Sequence, residues 1–428
     1  MRRPIRPVLV LAYVTAAAAV VFASSRRAPQ PPGPEPLGPA GALCTEALGR
    51  FTQDLHRALV DDSTDANVVA SPWSVWSSMA SFATFCDGST RAEIVRALGF
   101  ETDDVTDETL RAGRAELLER MRRADRHVSL DASQAVWVER SLELEAGAAA
   151  SLRRDSAVDL RRVDFHRRPP LVAEEIAAWI RRSTGGGARV PAAALPPETE
   201  LVLTDAISLR ARWRDPFDAR KTRDGTFRRL DGTEVLVPMM SHDLNHGAGG
   251  KEDPRFRVVR MFESDERAAA TAVELPHRGE RTSLVVVVPD LVDGLADVEA
   301  RLDVSALGTA LDEAEPRTVK VVLPRLSLRR NVDLAPALRA LGVESAFTDA
   351  DLGRLFGGPD RGRLVGRVSH GAALDVDEHG VRSWAFTEWV VFAALPEVVE
   401  ADRPFLVLVR ERTSGAVLFL ARILDPSA

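Results

Sequence analysis

Apolar residues recur at helical spacing from Leu43 to Val60, with Ala47, Phe51, Leu55 and Leu59 on one face. Ser71-Pro72 then opens a second helix, since proline in a first turn sacrifices no helical hydrogen bond, and this helix runs to about Phe85. A third is expected at Thr90 as cap, with Glu93 placed to complete a capping box. Further helical patterns occupy Asp107 to Arg123 and Val172 to Arg182, the latter ended by Gly185-Gly186-Gly187. From Glu200 the period changes. Leu201–Arg212, Val258–Phe262, Ala270–Leu275, Thr282–Val288 and Thr318–Leu328 are short, apolar and β-branched, with turn residues between them, as strands are. Val332–Leu341 returns to helix, Leu374–Asp377 reads as strand, and Phe405–Val409 with Ala416–Leu420 form a hairpin about Thr413-Ser414-Gly415. Helices in the first half and strands in the second, with no internal repeat, predict one α+β domain: a helical N-terminal half packed on large, mainly antiparallel sheets.

Composition narrows the function. At 45% apolar residues the 428-residue chain can bury a large core, and a net charge of −7 offers nucleic acid no overall attraction. The N-terminus is more informative. Arg2, Arg3 and Arg6 precede the apolar run Pro7–Ala23, which reads as a secretory signal or, uncleaved, as a membrane anchor over residues 1–25. Residues 26–41 are rich in Pro and Gly and are expected to form an extended tether, leaving 42–428 as the domain. The protein is therefore expected outside the cytoplasm, secreted or anchored facing out. Cys44 and Cys86 allow one disulfide or two buried thiols that never meet.

Enzyme chemistry finds little support. There is no Gly-x-Ser-x-Gly elbow. The triple glycine at 185–187 ends a helix instead of opening one and lacks a following lysine. His242 and His246 have metal-like spacing but sit in a loop-like stretch with no third ligand, and read as two solvated loop histidines. No cofactor, metal or catalytic residue is expected.

Four separated segments resemble the serpin family of serine protease inhibitors. They are Asn67–Val75 continuing to Gly88–Ile94; Leu203–Ile207 with Trp213–Phe217, preceded by Trp179 and Thr184-Gly185-Gly186; His370-x-Ala372-x-Leu374-x-Val376-Asp377-Glu378-His379-Gly380; and Ala401–Leu406 with Gly415–Pro426. Glu274-Leu275-Pro276 and Leu323-Pro324-Arg325-Leu326 fall between them in the family's order. The arginine-for-lysine bias, with Lys221, Lys251 and Lys320 as the lysines, suits a bacterial member. The resemblance implies a metastable serpin fold with an exposed reactive-centre loop between Gly380 and Pro404. It also implies a monomeric inhibitor whose loop is cut by a target serine protease and then inserts into the central sheet, trapping the acyl-enzyme.

The loop can be read physically. From Val381, alternate residues are Val381, Ser383, Ala385 and Thr387, all small and uncharged; the other set is Arg382, Trp384, Phe386 and Glu388. Side chains alternate faces along a strand, so the first set suits a buried face and a one-residue slip would bury an arginine and two aromatics. Trp384 and Phe386 depart from the family's run of small residues, but on the outer face. Family spacing from Gly380 places the scissile bond at Ala394–Leu395, with Ala393–Ala394 the alternative. A small apolar residue there suits an elastase-like or subtilisin-like protease, and the absence of Lys or Arg from Ser383 to Glu400 disfavours a trypsin-like one. Trp389 and Phe392 could dock a target or pack on the protein itself. The family's sheet-opening cluster maps onto Ser71, Ser74, Asp205 and His370. Position 205 is usually asparagine. An aspartate there is expected to pair with His370 as imidazolium, so that protonating the carboxylate weakens the clamp. The alternatives to inhibition are a non-inhibitory carrier, chaperone or interaction protein on the same fold and, more remotely, an enzyme.

Overall fold

The computed structural model describes residues 36–62, 65–102, 105–122, 128–154, 158–183, 195–242, 253–357, 365, 368–380 and 397–427. In chain order these form α1 (Pro39–Asp61), β1 (Val68–Ala70), α2 (Pro72–Ala83), α3 (Gly88–Ala97), α4 (Asp107–Arg122), β2 (Val128–Glu139), α5 (Ala146–Arg154), β3 (Val158–Val163), α6 (Pro169–Ser183) and β4 (Leu201–Ala211). There follow β5 (Arg223–Arg228), β6 (Glu234–Ser241), β7 (Arg255–Met261), β8 (Ala270–Pro276), β9 (Thr282–Pro289), α7 (Leu295–Arg301), α8 (Val304–Glu313), β10 (Arg317–Thr318), β11 (Lys320–Pro324) and β12 (Leu326–Asp333). The chain closes with α9 (Ala335–Ala340), α10 (Ser345–Thr348), α11 (Gly353–Phe356), β13 (Ser369–Val376), β14 (Val398–Glu400), β15 (Phe405–Glu411) and β16 (Val417–Ile423).

The largest sheet runs β1-β16-β15-β9-β8-β7-β10. Every residue of β9, β15 and β16 is buried, because both faces of this sheet are covered. Phe405, Val407 and Val409 turn toward the main core, while Leu406 and Leu408 meet Leu295, Val298, Leu307 and Leu311 of α7 and α8 in a second one. Two-sided burial explains why these strands are continuous apolar runs with no polar alternation. The C-terminal strand is fastened to the N-terminal half by Asn67, whose Nδ2 donates to Asp425 O (2.6 Å) and whose Oδ1 accepts from Leu424 N (2.7 Å) and Asp425 N (3.0 Å).

Helix α2 lies at the centre. Ser78 alone of its residues escapes burial, and Trp73 stacks on Trp76 at 6.1 Å. A helix enclosed all round has no polar face to solvate, so its serines need protein partners. Ser71 caps it, accepting from Ser74 N at 3.3 Å, as the Ser-Pro start implied.

Several expectations are revised. Strand β2 lies in the half expected to be helical. It pairs with β4 along its whole length, antiparallel, and with β3, parallel. Its C-terminal half is continuously buried, so the alternation that marks a strand is lost there. β1, β3, β5, β6, α7 and α8 were likewise not expected. Thr318–Leu328 is not one strand: Arg325 divides β11 from β12, and β12 continues to Asp333, where helix was expected. α3 begins at Gly88 without a side-chain cap. Glu93 makes no capping box; its carboxylate instead accepts from Glu344 N (2.9 Å) and Ser345 N (2.7 Å). Thr90 Oγ1 accepts from Asp351 N (3.1 Å). α1 starts at Pro39 and so takes in residues 39–41, expected as tether. Cys44 and Cys86 are both buried free thiols, which selects the second of the two readings. Burial, with help from Glu116, pushes the Cys44 thiol up to about 12, and burial pushes Cys86 higher still. Neither is a nucleophile at neutral pH.

Candidate functional site: a gap between two strands

The expected sheet-opening cluster lies where β4 and β13 approach each other. Among the described residues β4 pairs with β2 and β13 with β12, and no ladder joins β4 to β13. The two strands are nevertheless tied at two places.

The first tie is the polar cluster above α2. His370, near the start of β13, accepts through Nε2 from the Ser71 backbone N–H (3.0 Å), and the Ser71 hydroxyl donates to Leu418 O on β16 (2.6 Å). Ser74, one turn along, donates its hydroxyl to Asp205 Oδ1 on β4. Asp205 sits opposite Gln134 of β2. Gln134 Oε1 in turn accepts from Ser81 Oγ of α2 (2.9 Å) and Arg114 Nη1 of α4 (3.1 Å). All four residues of the expected cluster thus meet on one helix end.

The expected Asp205–His370 ion pair does not form. His370 spends its Nε2 lone pair on Ser71 N–H, a bond that the imidazolium could not accept. Burial lowers its pKa to about 4, so the ring is neutral at physiological pH. Burial pushes the Asp205 carboxyl up to about 7, against the lowering effects of the Ser74 hydroxyl and the Arg114 guanidinium. Burial thus disfavours the ionised carboxylate, although the Ser74 bond itself favours it.

The second tie lies beyond the C-terminal ends of both strands. Trp213 Nε1 donates to Asp377 O (2.8 Å), Trp213 N to His379 O (3.2 Å) and Phe217 N to Glu378 O (2.9 Å). Glu378 is buried. Arg325 grips it through Nε (2.8 and 3.0 Å) and Nη2 (2.5 Å), and the Thr222 hydroxyl also donates to it. Burial would raise the Glu378 carboxyl, but these hydrogen bonds outweigh it and hold the group below its ordinary range. Glu378, Arg325, Trp213 and Thr222 were not singled out as site residues by sequence reasoning. The available signal was a lone glutamate and a lone arginine in two of the family-like segments.

Gly380 closes this junction. Its φ is +93°, and a Cβ there would lie 2.4 Å from Trp213 N and 2.6 Å from Ala211 O. Only glycine fits, for both reasons. Because both ties join corresponding ends, β4 and β13 run in the same sense, and His370–Val376 spans about 20 Å between them. A chain leaving Gly380 and doubling back would run antiparallel to both. Val381, Ser383, Ala385, Thr387, Ala394 and Leu395 lie outside the described residues, as do His246 and the glycine run at 185–187.

His242 is not a solvated loop residue. It is buried, stacks on Phe217 at 3.7 Å, and reaches Asp215 O through Nε2 (2.8 Å), so a packed aromatic site replaces the expected exposed one. Among the described residues no cluster of His, Cys, Asp or Glu could hold a metal ion, and no helix is long and apolar enough to cross a membrane.

Comparison with known proteins agrees with this architecture. The family "Serpin (serine protease inhibitor)" matches residues 46–426. The chain is 30% identical over 394 residues to the "Serine protease inhibitor" of Cyanea capillata, covering 90% of this chain and 100% of that one. It is 30% identical to "Serpin A3-3" of Bos taurus over 379 residues, covering 88% of each chain. It is 29% identical to the Bos taurus "Leukocyte elastase inhibitor" over 391 residues, covering 88% and 98%. Human thyroxine-binding globulin complexed with its hormone superposes with a TM-score of 0.79 at 23% identity, over 90% of this chain and 99% of that one, a likeness of fold. The chain belongs to the serpin family, whose members are mostly protease inhibitors and not enzymes.

Two outcomes are expected. Gly380→Ala should destabilise the uncut protein by at least ~2 kcal/mol, since a left-handed alanine is strained and the clash is with backbone. Thermal unfolding checks this, and a change below ~0.5 kcal/mol would show the junction to be looser than described. For Asp205, the carboxyl ionises near 3.8 when unfolded and near 7 when folded. Between those values the folded state holds the extra proton, so this stabilisation is complete below about pH 4 and is lost as pH rises through 7. At ~1.36 kcal/mol per pH unit the ceiling is about 4 kcal/mol. His370 slopes the other way in both proteins and cancels in the comparison. The stability difference between wild type and Asp205→Asn, followed by denaturant unfolding from pH 4 to 7.5, should therefore move in favour of the variant. A constant offset would show that Asp205 does not titrate in this range.

Proposed function

We propose that this protein inhibits an extracytoplasmic serine protease as a suicide substrate, with the cut loop filling the space between β4 and β13. The observation that carries this reading is that β4 and β13 run in the same sense, are tied at two places and are joined by no ladder among the described residues, with Gly380 turned at one of the ties. A strand entering there antiparallel would hydrogen-bond to both edges, the mode of peptide recognition by strand addition. Fold alone does not establish inhibition, so the loop's sequence must bear the rest.

Residues 381–396 supply the substrate. The protease serine adds to the Ala394 carbonyl carbon, the bond to Leu395 N breaks, and the serine proton leaves on the new Leu395 amine. Ala394 is then held as an ester on the protease. Insertion of Val381–Ala394, roughly 45 Å when extended, exceeds the length of β4 and carries the acylated protease past its far end. Val381, Ser383, Ala385 and Thr387 turn inward, and Arg382, Trp384, Phe386 and Glu388 outward. An alanine at the cut favours an elastase-like or subtilisin-like target, and the similarity to a leukocyte elastase inhibitor supports the same class. The N-terminal segment 1–25 directs the domain out of the cytoplasm, secreted or anchored, and the domain acts as a monomer.

Incubation with elastase-like and subtilisin-like proteases should give a band of combined mass resistant to denaturing electrophoresis, with release of a C-terminal fragment starting at Leu395. The cut protein should unfold at a higher temperature than the intact one. Cleavage with neither result would favour a carrier or interaction role. Ala385→Arg should leave cleavage intact but reduce the covalent band at least about ten-fold. An unpaired guanidinium buried on the inward face costs several kcal/mol, and 1.4 kcal/mol is already ten-fold. If Ala385→Arg traps the protease as well as wild type, the assigned register is wrong.

A further inference from the structure

Away from the gap, four arginines converge on one recess. Arg255 and Arg257 project from β7 two residues apart, hence from one face. Arg214 follows β4 and Arg412 follows β15. Together with Glu274 and Glu280 they line a recess of about 310 Å³, its mouth included. The inhibitory reading uses none of these side chains.

The charges do not balance within the recess. Glu274 is buried and already committed: its Oε1 accepts from Arg410 Nη2 (2.8 Å), Arg410 Nε (3.0 Å) and Ser283 Oγ (2.7 Å). Glu280 meets Arg214 Nη1 at 3.1 Å and lies 3.6 Å from Arg412 Nη1. With the outer partners Arg410, Asp215 and Asp312 included, positive charge is still in excess. Arg214 is fully engaged by Asp215, Glu280 and the Arg255 carbonyl, and the uncommitted donors lie on Arg255, Arg257 and Arg412. Arg255 is held through Nη2 to Pro316 O (2.6 Å), and Arg257 reaches Asp312 only at 3.4 Å. Arg412 gives Nη1 to Glu280 O (3.0 Å), while its Nε is buried without a hydrogen-bond acceptor, 3.4 Å from Glu274 Oε1. That nitrogen thus lies against the Glu274 carboxylate with no surface of its own, so Arg412 would meet a ligand through its terminal nitrogens. Glu280 is one of two non-glycine residues with positive φ among those described (+55°). The strained turn sets its carbonyl on Arg412 and its carboxylate on Arg214, holding two of the guanidinium groups in place.

We propose that this recess binds a tetrahedral dianion, a sulfate or phosphate group, with Arg412 as the inner donor and Arg255 and Arg257 closing over it. Guanidinium forks match the oxygens of such a group with charge-assisted hydrogen bonds, and its negative charge offsets the local excess. A cationic ligand would be repelled, and a neutral acceptor would gain hydrogen bonds without offsetting the charge. The two possible sources, a free ion and an ester, share this chemistry.

Calorimetric titration of the full chain with sodium sulfate, inorganic phosphate and O-phosphoserine, at ionic strength held constant with sodium chloride, tests the assignment. Saturable binding of sulfate with a Kd of about 1 mM or tighter is expected, equivalent to roughly −4 kcal/mol. Arg412→Gln should weaken it at least about ten-fold, the loss of one good charge-assisted bond. Should Arg412→Gln fail to fold, the exposed Arg255→Gln serves, with a weakening of about three-fold or more expected from an outer contact. Tighter binding of O-phosphoserine than of phosphate identifies an ester as the source, and the reverse identifies the free ion. Absence of saturable binding, or equal sulfate affinity in wild type and folded variants, overturns the proposal. The second arm matters because sulfate also stabilises proteins without binding a site. Inhibition through residues 381–396 is measured separately and stands or falls on its own.

Discussion

The structure depends on how β4 and β13 are held to each other, since no ladder joins them among the described residues. Two short polar ties do this. At one end, Ser71 and Ser74 of the buried helix α2 reach His370 and Asp205; at the other, Trp213, Glu378 and Arg325 fasten the chain where it leaves β13. A net hydrogen bond is worth only ~1 kcal/mol, so a few of them hold a junction only weakly. Apolar contacts over the same length would be both stronger and less easily replaced. The rest of the protein is built to make that local weakness affordable. The seven-stranded sheet is packed on both faces, and its C-terminal strand is locked to the N-terminal half through Asn67.

Charge at the first tie is unusual in a way that follows from what surrounds it. A histidine that must accept a backbone N–H has to stay neutral, and burial keeps it so. That removes the obvious counter-charge for Asp205. The cation that does act on it is Arg114, from a different helix, which shares Gln134 with Ser81. The cluster therefore couples α2, α4, β2 and β4, and an asparagine at 205 could make the serine contact without a charge to accommodate.

What was legible in the chain, and what was not, divides along physical lines. Ser71-Pro72 announced a helix start because its capping chemistry is local. Gly380 stood in a recognisable segment, and its left-handed backbone pressed against β4 explains why only glycine serves. The four cluster residues were identified correctly as neighbours, but their pairing was not, since sequence cannot say which nitrogen of His370 is already engaged. Strand β2 was missed because its second half is buried on both faces and loses the two-residue period. Glu93 looked like a capping-box residue, and the long-range contact with Ser345 took it instead. His242 looked exposed for want of an apolar pattern nearby, although Phe217 and Phe256 enclose it from distant parts of the chain.

The second tie shows why such residues escape notice. Glu378 and Arg325 are separated by 53 positions and each is ordinary alone. Together they form a buried carboxylate with a bidentate cation just beyond the end of β13. Breaking such a pair is far more costly than never forming it, because the carboxylate left behind stays desolvated. The pair therefore fixes where β13 ends and the loop begins, more than it adds to stability.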